Sequence, residues 1–296
     1  MRFLIAGASG FLGSRLRESL VAAGHDVTSL VRRTPSTGQA EWDPYAGTLD
    51  RDHVEKADVV VNLAGSPTLG NPHSQEWADK LRSSRVTTTR VLAEAIAASD
   101  RRPAFLAGNG ISFYGDHAAE PVTETSTSAG DAFLTSVTID WQAAAQPAVD
   151  AGARVCILRT APVMDSESAP LRQLLLLFKS GIGGRIGDGR QYFPMISLQD
   201  WVAAVTFVAE HEEVSGPVNL CSAETPTNAE FTRALAKLVH RPAVLPVPAA
   251  VIRPAAGRMA PEVLGSVRAV PQALLDAGFG FADRTVTDVL ASATRH

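Results

Sequence analysis

Cysteine and tyrosine are scarce in this 296-residue chain, which holds two of the first and three of the second. The cysteines, Cys156 and Cys221, are too few and too far apart for a disulfide framework or a thiolate metal cluster. Both sit in apolar runs, "RVCILR" and "PVNLCS", and are expected to be core thiols. No metal site is expected. Positive charge is not in excess either. Lys and Arg number 27 against 31 Asp and Glu, a net charge of -4, and the basic residues are scattered. That excludes the basic stripe of a nucleic-acid surface. The longest apolar run, "LRQLLLLFKSGIG", is far short of a membrane span. The start, "MRFLIAG", reads as a strand with no basic leader or cleavage site. A cytoplasmic protein without a membrane or nucleic-acid partner is expected, a monomer or a homodimer acting on a small molecule.

What is present is a regular alternation. "RFLIAG" is a short apolar run. "FLGSRLRESLVAAG" follows with helical spacing, Leu12, Leu16, Leu20 and Val21 sharing a face and Gly24 stopping it. "HDVTSLVR", "ADVVVNLAG", "PAFLAGNG" and "ARVCILRT" read as further strands. "SQEWADKLRSSRVTTTRVLAEAIAAS" and "FLTSVTIDWQAAAQPAVDAG" read as helices between them. Near-continuous apolar strands alternating with helices predict an α/β fold, a Rossmann-type doubly wound parallel sheet covered on both faces. After Thr160 glycine and proline become frequent, as in "KSGIGGRIGDGRQYFP". Residues 1–160 are therefore expected to form the dinucleotide-binding domain. Residues 161–296 are expected to form a smaller substrate-side part, some of whose segments return to the main sheet.

"GASGFLG" puts Gly7, Gly10 and Gly13 at G-x-x-G-x-x-G spacing, after a strand and opening a helix. Glycines allow the tight turn and a close approach to a pyrophosphate, and the helix N-terminus offers its free N–H groups. Ser9, Phe11 and Leu12 lie in the same turn and complete the candidate phosphate contacts. The alternative is a tight turn without a ligand. An NAD binder usually has an acid at the end of the second strand, to hold the ribose 2′-OH. Here that end reads "SLVRR", and Asp26 is at the strand's other end. Arg32 and Arg33 suit a 2′-phosphate, so NADP is the expected cofactor. Two solvated loop arginines are the alternative. "NLAG" ends the next strand, and Leu63, Ala64 and Gly65 would let the backbone lie against the adenosine.

"GNGISFYGDH" stands where many dinucleotide enzymes carry a catalytic serine. A Tyr-x-x-x-Lys should follow, but the chain reads "AFLTSVTIDWQAAA". Neither Tyr114 nor Tyr192 has a lysine four residues on. Ser112 and Tyr114 are the remaining candidates for proton chemistry, with Tyr114 equally readable as a packing aromatic. Asp116, His117, Glu120 and Glu124 read as solvated loop charges, and Asp200 as the N-cap of the helix in "QDWVAAVTFVAE".

"GASGFLG", "GHDV", "WDP", "NLAG", "SSRVTTTRVL", "FYGD", "GDGRQYFP" and "GPVNLCSAETPTNAEF", in this order, resemble the atypical extended short-chain dehydrogenases/reductases. The pattern is most similar to the SulA-like "epimerase family" group, nucleoside-diphosphate-sugar epimerases with a C-terminal domain of unknown function. The resemblance runs over nearly the whole chain. It implies NADP contacts at Gly7, Gly10, Gly13, Arg32, Leu63 and Ala64, and at Arg85, the arginine of the group's Ser-Arg pair. It extends these to Lys80, and to Val163 beside the nicotinamide. It puts Leu134 at the usual tyrosine position, Thr138 at the lysine position, and Asn109 or Gly110 at the serine position. "GDGRQYFPMISLQD" would cover the substrate pocket, with Tyr192 and Met195 in its wall. Met195 and Ser197 depart from the group's Trp-Ile-His-x-x-Asp. Two readings stay open: an oxidoreductase or epimerase on a small polar substrate, nucleotide-linked ones included, and a non-catalytic NADP(H)-binding sensor or regulator.

Overall fold

The computed structural model describes residues 1–243 and 246–295. The first half alternates as expected: β1 (Arg2–Ala6), α1 (Phe11–Ala22), β2 (Asp26–Val31), β3 (Gln39–Asp43), β4 (Thr48–Leu49), α2 (Arg51–Lys56), β5 (Val59–Asn62), α3 (Gln75–Ala97) and β6 (Ala104–Gly110). After a 3-10 turn at Ile111–Tyr114 come β7 (Pro121–Val122), α4 (Phe133–Ala143), α5 (Gln146–Asp150), β8 (Val155–Thr160), β9 (Val163–Met164) and α6 (Ala169–Lys179). The rest holds β10 (Ile196–Ser197), α7 (Leu198–Glu210), β11 (Gly216–Leu220), α8 (Asn228–Leu238), α9 (Ala249–Ala256), α10 (Ala260–Leu264), β12 (Arg268–Ala269), α11 (Gln272–Asp276) and α12 (Val286–Ser292).

Eight strands form one sheet in the order β11-β8-β6-β5-β1-β2-β3-β4. All pair in parallel except β4, which runs antiparallel to β3. The chain winds outward from β1 to β3, then returns to β5 on the other side of β1. That reversal opens a crevice at the C-terminal ends of β1 and β5, where ligands bind in this architecture. Successive residues of β1 face opposite helical layers. Phe3 and Ile5 pack with Leu16, Leu20, Trp201 and Val205 of α1 and α7. Leu4 packs with Leu92 and Ile96 of α3. Both layers are apolar, so the strands carry unbroken apolar runs. Strand β11, from beyond residue 160, closes one edge of the sheet. A smaller cluster, with Met164, Phe178, Phe231 and Val289, joins α6, α8 and α12 beside it.

Local departures from the sequence reading have physical causes. Val21 is exposed, so the buried stripe of α1 is Gly13, Leu16 and Leu20. The helix expected over 133–152 breaks at Ala144–Ala145 because Pro147, which lacks an N–H, opens α5. Ser197 is the N-cap of α7, accepting from Asp200 N at 3.2 Å. Asp200 is instead a buried clamp. Its two carboxylate oxygens accept the N–H groups of Ala282 and Asp283, each at 2.9 Å. Cys156 and Cys221 are both buried and free.

Asp200→Ala should lower unfolding stability by about 2–4 kcal/mol, because it orphans two backbone donors that now bond a carboxylate. Asp200→Asn, keeping one acceptor, should lose about half as much. Urea unfolding of the three proteins checks this; equal midpoints would overturn it.

Candidate functional site

At the C-terminal end of β1 the chain turns through Gly7, whose φ is +83°. A Cβ on Gly7 would come within 2.6 Å of the Leu63 carbonyl carbon and 2.7 Å of Ala64 N. A Cβ on Gly13 would drive into the Gly7 carbonyl oxygen. Glycine is therefore obligatory at both places for packing the turn. Gly10 differs. Its φ is -75°, and the first atom its Cβ would meet is Gly7 O at 3.3 Å. That contact is tight but not a clash, so a side chain on this N-cap residue needs Gly7 O to give by only a few tenths of an ångström. No side chain caps α1. Gly10 N–H bonds Gly7 O and Ser14 N–H bonds Gly10 O. The N–H groups of Phe11, Leu12 and Gly13 between them find no acceptor among the described residues. An uncapped helix start with free donors fits a phosphate group. Ser9, in the same turn, is exposed.

The flanking strands bring the other predicted contacts to the same edge. Leu30 stands beside Ala6 in the β1–β2 register, so Arg32 and Arg33 leave the sheet level with the glycine turn. Both are exposed, and neither guanidinium has a hydrogen bond or ion pair among the described residues. On the other side, buried Asn62 shapes the loop after β5. Its Nδ2 donates to Thr89 Oγ1 at 2.8 Å, and its Oδ1 accepts Ala64 N–H at 3.1 Å. This holds Leu63, Ala64 and Gly65 against α3. Arg85 lies along Gly65. It donates to Leu81 O at 3.0 Å and Thr68 Oγ1 at 3.3 Å, and its guanidinium is 5.2 Å from the Trp141 ring centroid. It has no carboxylate partner among the described residues, and burial pushes its pKa down to about 10. A cation so placed is short of an anion. Lys80 lies one turn earlier on α3 and is exposed.

The residues expected at the relay positions lie at the end of β6 and on α4. Asn109 binds Thr138 O and Gly110 N. Thr138 Oγ1 lies 2.9 and 2.8 Å from the carbonyls of Leu134 and Thr135, inside its own helix. Leu134 is half-buried. Tyr114 is a core residue with 0% exposure. Its hydroxyl donates to Asn219 Oδ1 at 2.7 Å and accepts from Arg159 Nη1 at 2.8 Å, and burial pushes its pKa up. It supports the buried Arg159, which also lies 3.6 Å from the Phe113 ring centroid and binds Gln142 Oε1 at 3.0 Å. Of the two readings open for Tyr114, this burial and bonding match the packing aromatic rather than proton chemistry. Glu124 is likewise not a solvated charge. It is half-buried and accepts Asn219 N–H at 3.0 Å, and burial raises its pKa.

Ser112 is the exception. It is half-buried, and its Oγ donates to Glu262 Oε2 of α10 at 2.6 Å. Burial pushes the Glu262 carboxyl up, against the lowering effect of that bond. Sequence reasoning missed Glu262: it lies 150 residues downstream, and no local spacing links the two.

The remaining candidates separate. Val163 follows β8 in β9, where it pairs with Ile196 of β10, and is 7% exposed with its side chain in the main core. Tyr192 is half-buried, its N–H bonded to Ser266 Oγ at 3.0 Å and its ring under Arg268. Met195 has 0% exposure and packs with Phe178 and Phe231. It is core rather than pocket wall, a correction that follows from the apolar cluster closing over it.

A family model described as "NAD dependent epimerase/dehydratase family" matches residues 3–221, and one described as "Domain of unknown function (DUF1731)" matches residues 247–293. An epimerase family protein of Mycobacterium bovis is 40% identical over 293 residues, covering 98% of this chain and 96% of the relative. Among solved structures, the human epimerase family protein SDR39U1 with NADPH superposes with a TM-score of 0.89 at 29% identity, each chain covered in full (100%). A nucleoside-diphosphate sugar epimerase from Corynebacterium glutamicum gives a TM-score of 0.81 at 32% identity, covering 99% of this chain and 58% of that one.

The two kinds of glycine give separable outcomes. Gly10→Val should stay folded and lose the thermal stabilisation that NADPH confers, since its side chain would occupy the donor cradle. Gly7→Ala should lower the melting temperature of the free protein. Thermal scans with and without NADPH check both; a normal NADPH shift in Gly10→Val would remove the loop from the site.

Proposed function

This chain belongs to the NAD dependent epimerase/dehydratase family, and on that premise we propose that it binds NADP(H) and transfers a hydride to or from a small polar substrate, as an oxidoreductase or epimerase. The observation carrying this reading is the uncapped start of α1, with free N–H groups at Phe11, Leu12 and Gly13 beside unpaired Arg32 and Arg33. The helix start would take the pyrophosphate, and the arginines the 2′-phosphate. Leu63, Ala64 and Gly65 would lie along the adenosine side, and Arg85 would meet an anionic or carbonyl group with its uncompensated charge. The NADPH in the human relative's structure supports the choice of cofactor. When bound, the nicotinamide supplies or accepts the hydride. The chain's part is to hold it, exclude water and move a proton at the substrate oxygen.

The name of the Corynebacterium protein supports a nucleotide-linked sugar as one substrate class. A second reading, a cofactor-binding regulator, draws on Leu134 and Thr138 at the relay positions and on the occupied hydroxyl of Thr138. Purified protein with NADPH and a panel of carbonyl compounds, followed at the nicotinamide absorbance, separates the two. Oxidation of NADPH supports the enzyme, and binding without turnover supports the regulator.

Arg32→Ala should weaken NADPH binding by about 1–3 kcal/mol, the scale of one charge-assisted hydrogen bond, and leave NADH nearly unchanged. Calorimetric titration with both nucleotides tests it; equal losses for the two would remove the arginine from the 2′-phosphate.

A further inference from the structure

The segment from α9 to β12 lies as a strap over the loops that follow β5 and β6. At one end a side chain on Gly257 would meet the His73 ring at 2.8 Å, and Arg258 donates to Gln75 Oε1 at 2.7 Å. At the other end Ser266 N–H bonds Asp116 Oδ1 at 3.3 Å, Ser266 Oγ bonds Ala118 O, and His117 N–H bonds Ser266 O at 3.0 Å. Strand β12 then pairs with β7. Between these ties sits Glu262, on Ser112 Oγ.

A latch needs no carboxyl there. Burying one without a cation is costly, and an amide would hold the serine as well. The charged and titratable groups at the strap's ties are His73 and Arg258 at one end and Asp116 and His117 at the other, and the strap itself carries Arg253 and Arg268. Among the described residues none forms an ion pair with Glu262. Ser112 is two residues past the end of β6, on the same turn as Gly110 and beside the α4 helix that carries Leu134 and Thr138. The strap therefore delivers an exchangeable proton to the one part of the site that lacks a relay.

We propose that Glu262, acting through Ser112 Oγ, is the proton store of this site, for a substrate of the carbonyl–alcohol class. The proposal rests on the enzymatic reading given above. In the reducing direction the C=O π bond breaks as the carbonyl carbon takes the hydride of the reduced nicotinamide. The carbonyl oxygen takes the Ser112 Oγ proton. With Glu262 protonated the 2.6 Å bond runs the other way, the carboxyl O–H donating to Ser112 Oγ; Oγ takes that proton as it gives up its own, and the carboxylate left behind is reprotonated from solvent. The nicotinamide is oxidised as the carbonyl is reduced, and the oxidising direction reverses each transfer. Ser112 would touch the reacting oxygen. Glu262 positions and supplies the proton behind it.

The test compares wild type, Glu262→Gln and Ser112→Ala. Single-turnover oxidation of NADPH by the active carbonyl compounds of the panel is followed across pH, and NADPH affinity is measured alongside. Glu262→Gln should slow reduction about 100-fold or more, the scale of general acid catalysis, and flatten its pH profile. Ser112→Ala should do the same, and both should bind NADPH as the wild type does. An independent readout is thermal stability. Because the fold raises the Glu262 pKa, its stabilising contribution is present at low pH and is lost as pH rises through the raised value. Wild type should therefore lose melting temperature relative to Glu262→Gln as pH rises. A Glu262→Gln protein with unchanged rate and pH profile overturns the proposal and leaves a structural latch. A pH-independent difference in melting temperature also overturns it. A wild type that binds NADPH but oxidises none of it overturns the enzymatic reading itself, and the proton store with it.

Discussion

The site depends on one close approach of backbone to backbone. Gly7 turns at φ +83° with Leu63 and Ala64 pressed against it, and Gly13 lies on the Gly7 carbonyl. No side chain fits at either contact. Because the chain can pass so closely, α1 starts directly above the end of β1, and the loop after β5 closes the other side of the crevice. The direction of α1 and the placement of its free N–H groups follow from that contact. Asn62 then fixes the loop from beneath, tying it to Thr89 of α3. Arg85 reaches the same loop from α3, so helix and crevice hold one register.

Much of this was legible because the signals were local. The glycine spacing, the strand ends "SLVRR" and "NLAG" and the alternating apolar runs each need only a few neighbouring residues to be read. Strands with both faces buried announce themselves as apolar runs, and Phe3, Leu4 and Ile5 belong to opposite layers as such a run requires. Short elements were less visible. The β3–β4 hairpin alternates buried Ala40 and Trp42 with exposed Glu41 and Asp43, a pattern too brief to stand out.

The misread residues share a different cause. Glu124 and Asp200, and Tyr114 whose role the sequence left open, are polar residues whose roles come from partners far along the chain, while Met195 is soft enough to read as pocket wall or core. Tyr114 meets Asn219, 105 residues away, and Asp200 meets Ala282, 82 residues away. A sequence window cannot distinguish a tyrosine aimed at a cleft from one that solvates a buried arginine. Arg159, at 2% exposure, needs its hydroxyl, carbonyl and amide acceptors once it is removed from water. That demand, more than catalysis, accounts for the tyrosine in "FYGD".

The two halves of the site are built with unlike rigidity. The nucleotide edge stands on sheet strands and on glycine contacts that no side chain can replace. The Ser112 end is assembled from a 3-10 turn and a strap held by polar bonds at its two ends, from Arg258 to the start of α3 and from Ser266 to Asp116, His117 and Ala118, with the Ser112–Glu262 bond between them. The helix α9 contributes no buried residue to the core. Such a segment opens at lower cost than the main sheet. The two ends can therefore vary separately: the glycine edge through strand-end geometry, the Ser112 end through the residues of the strap.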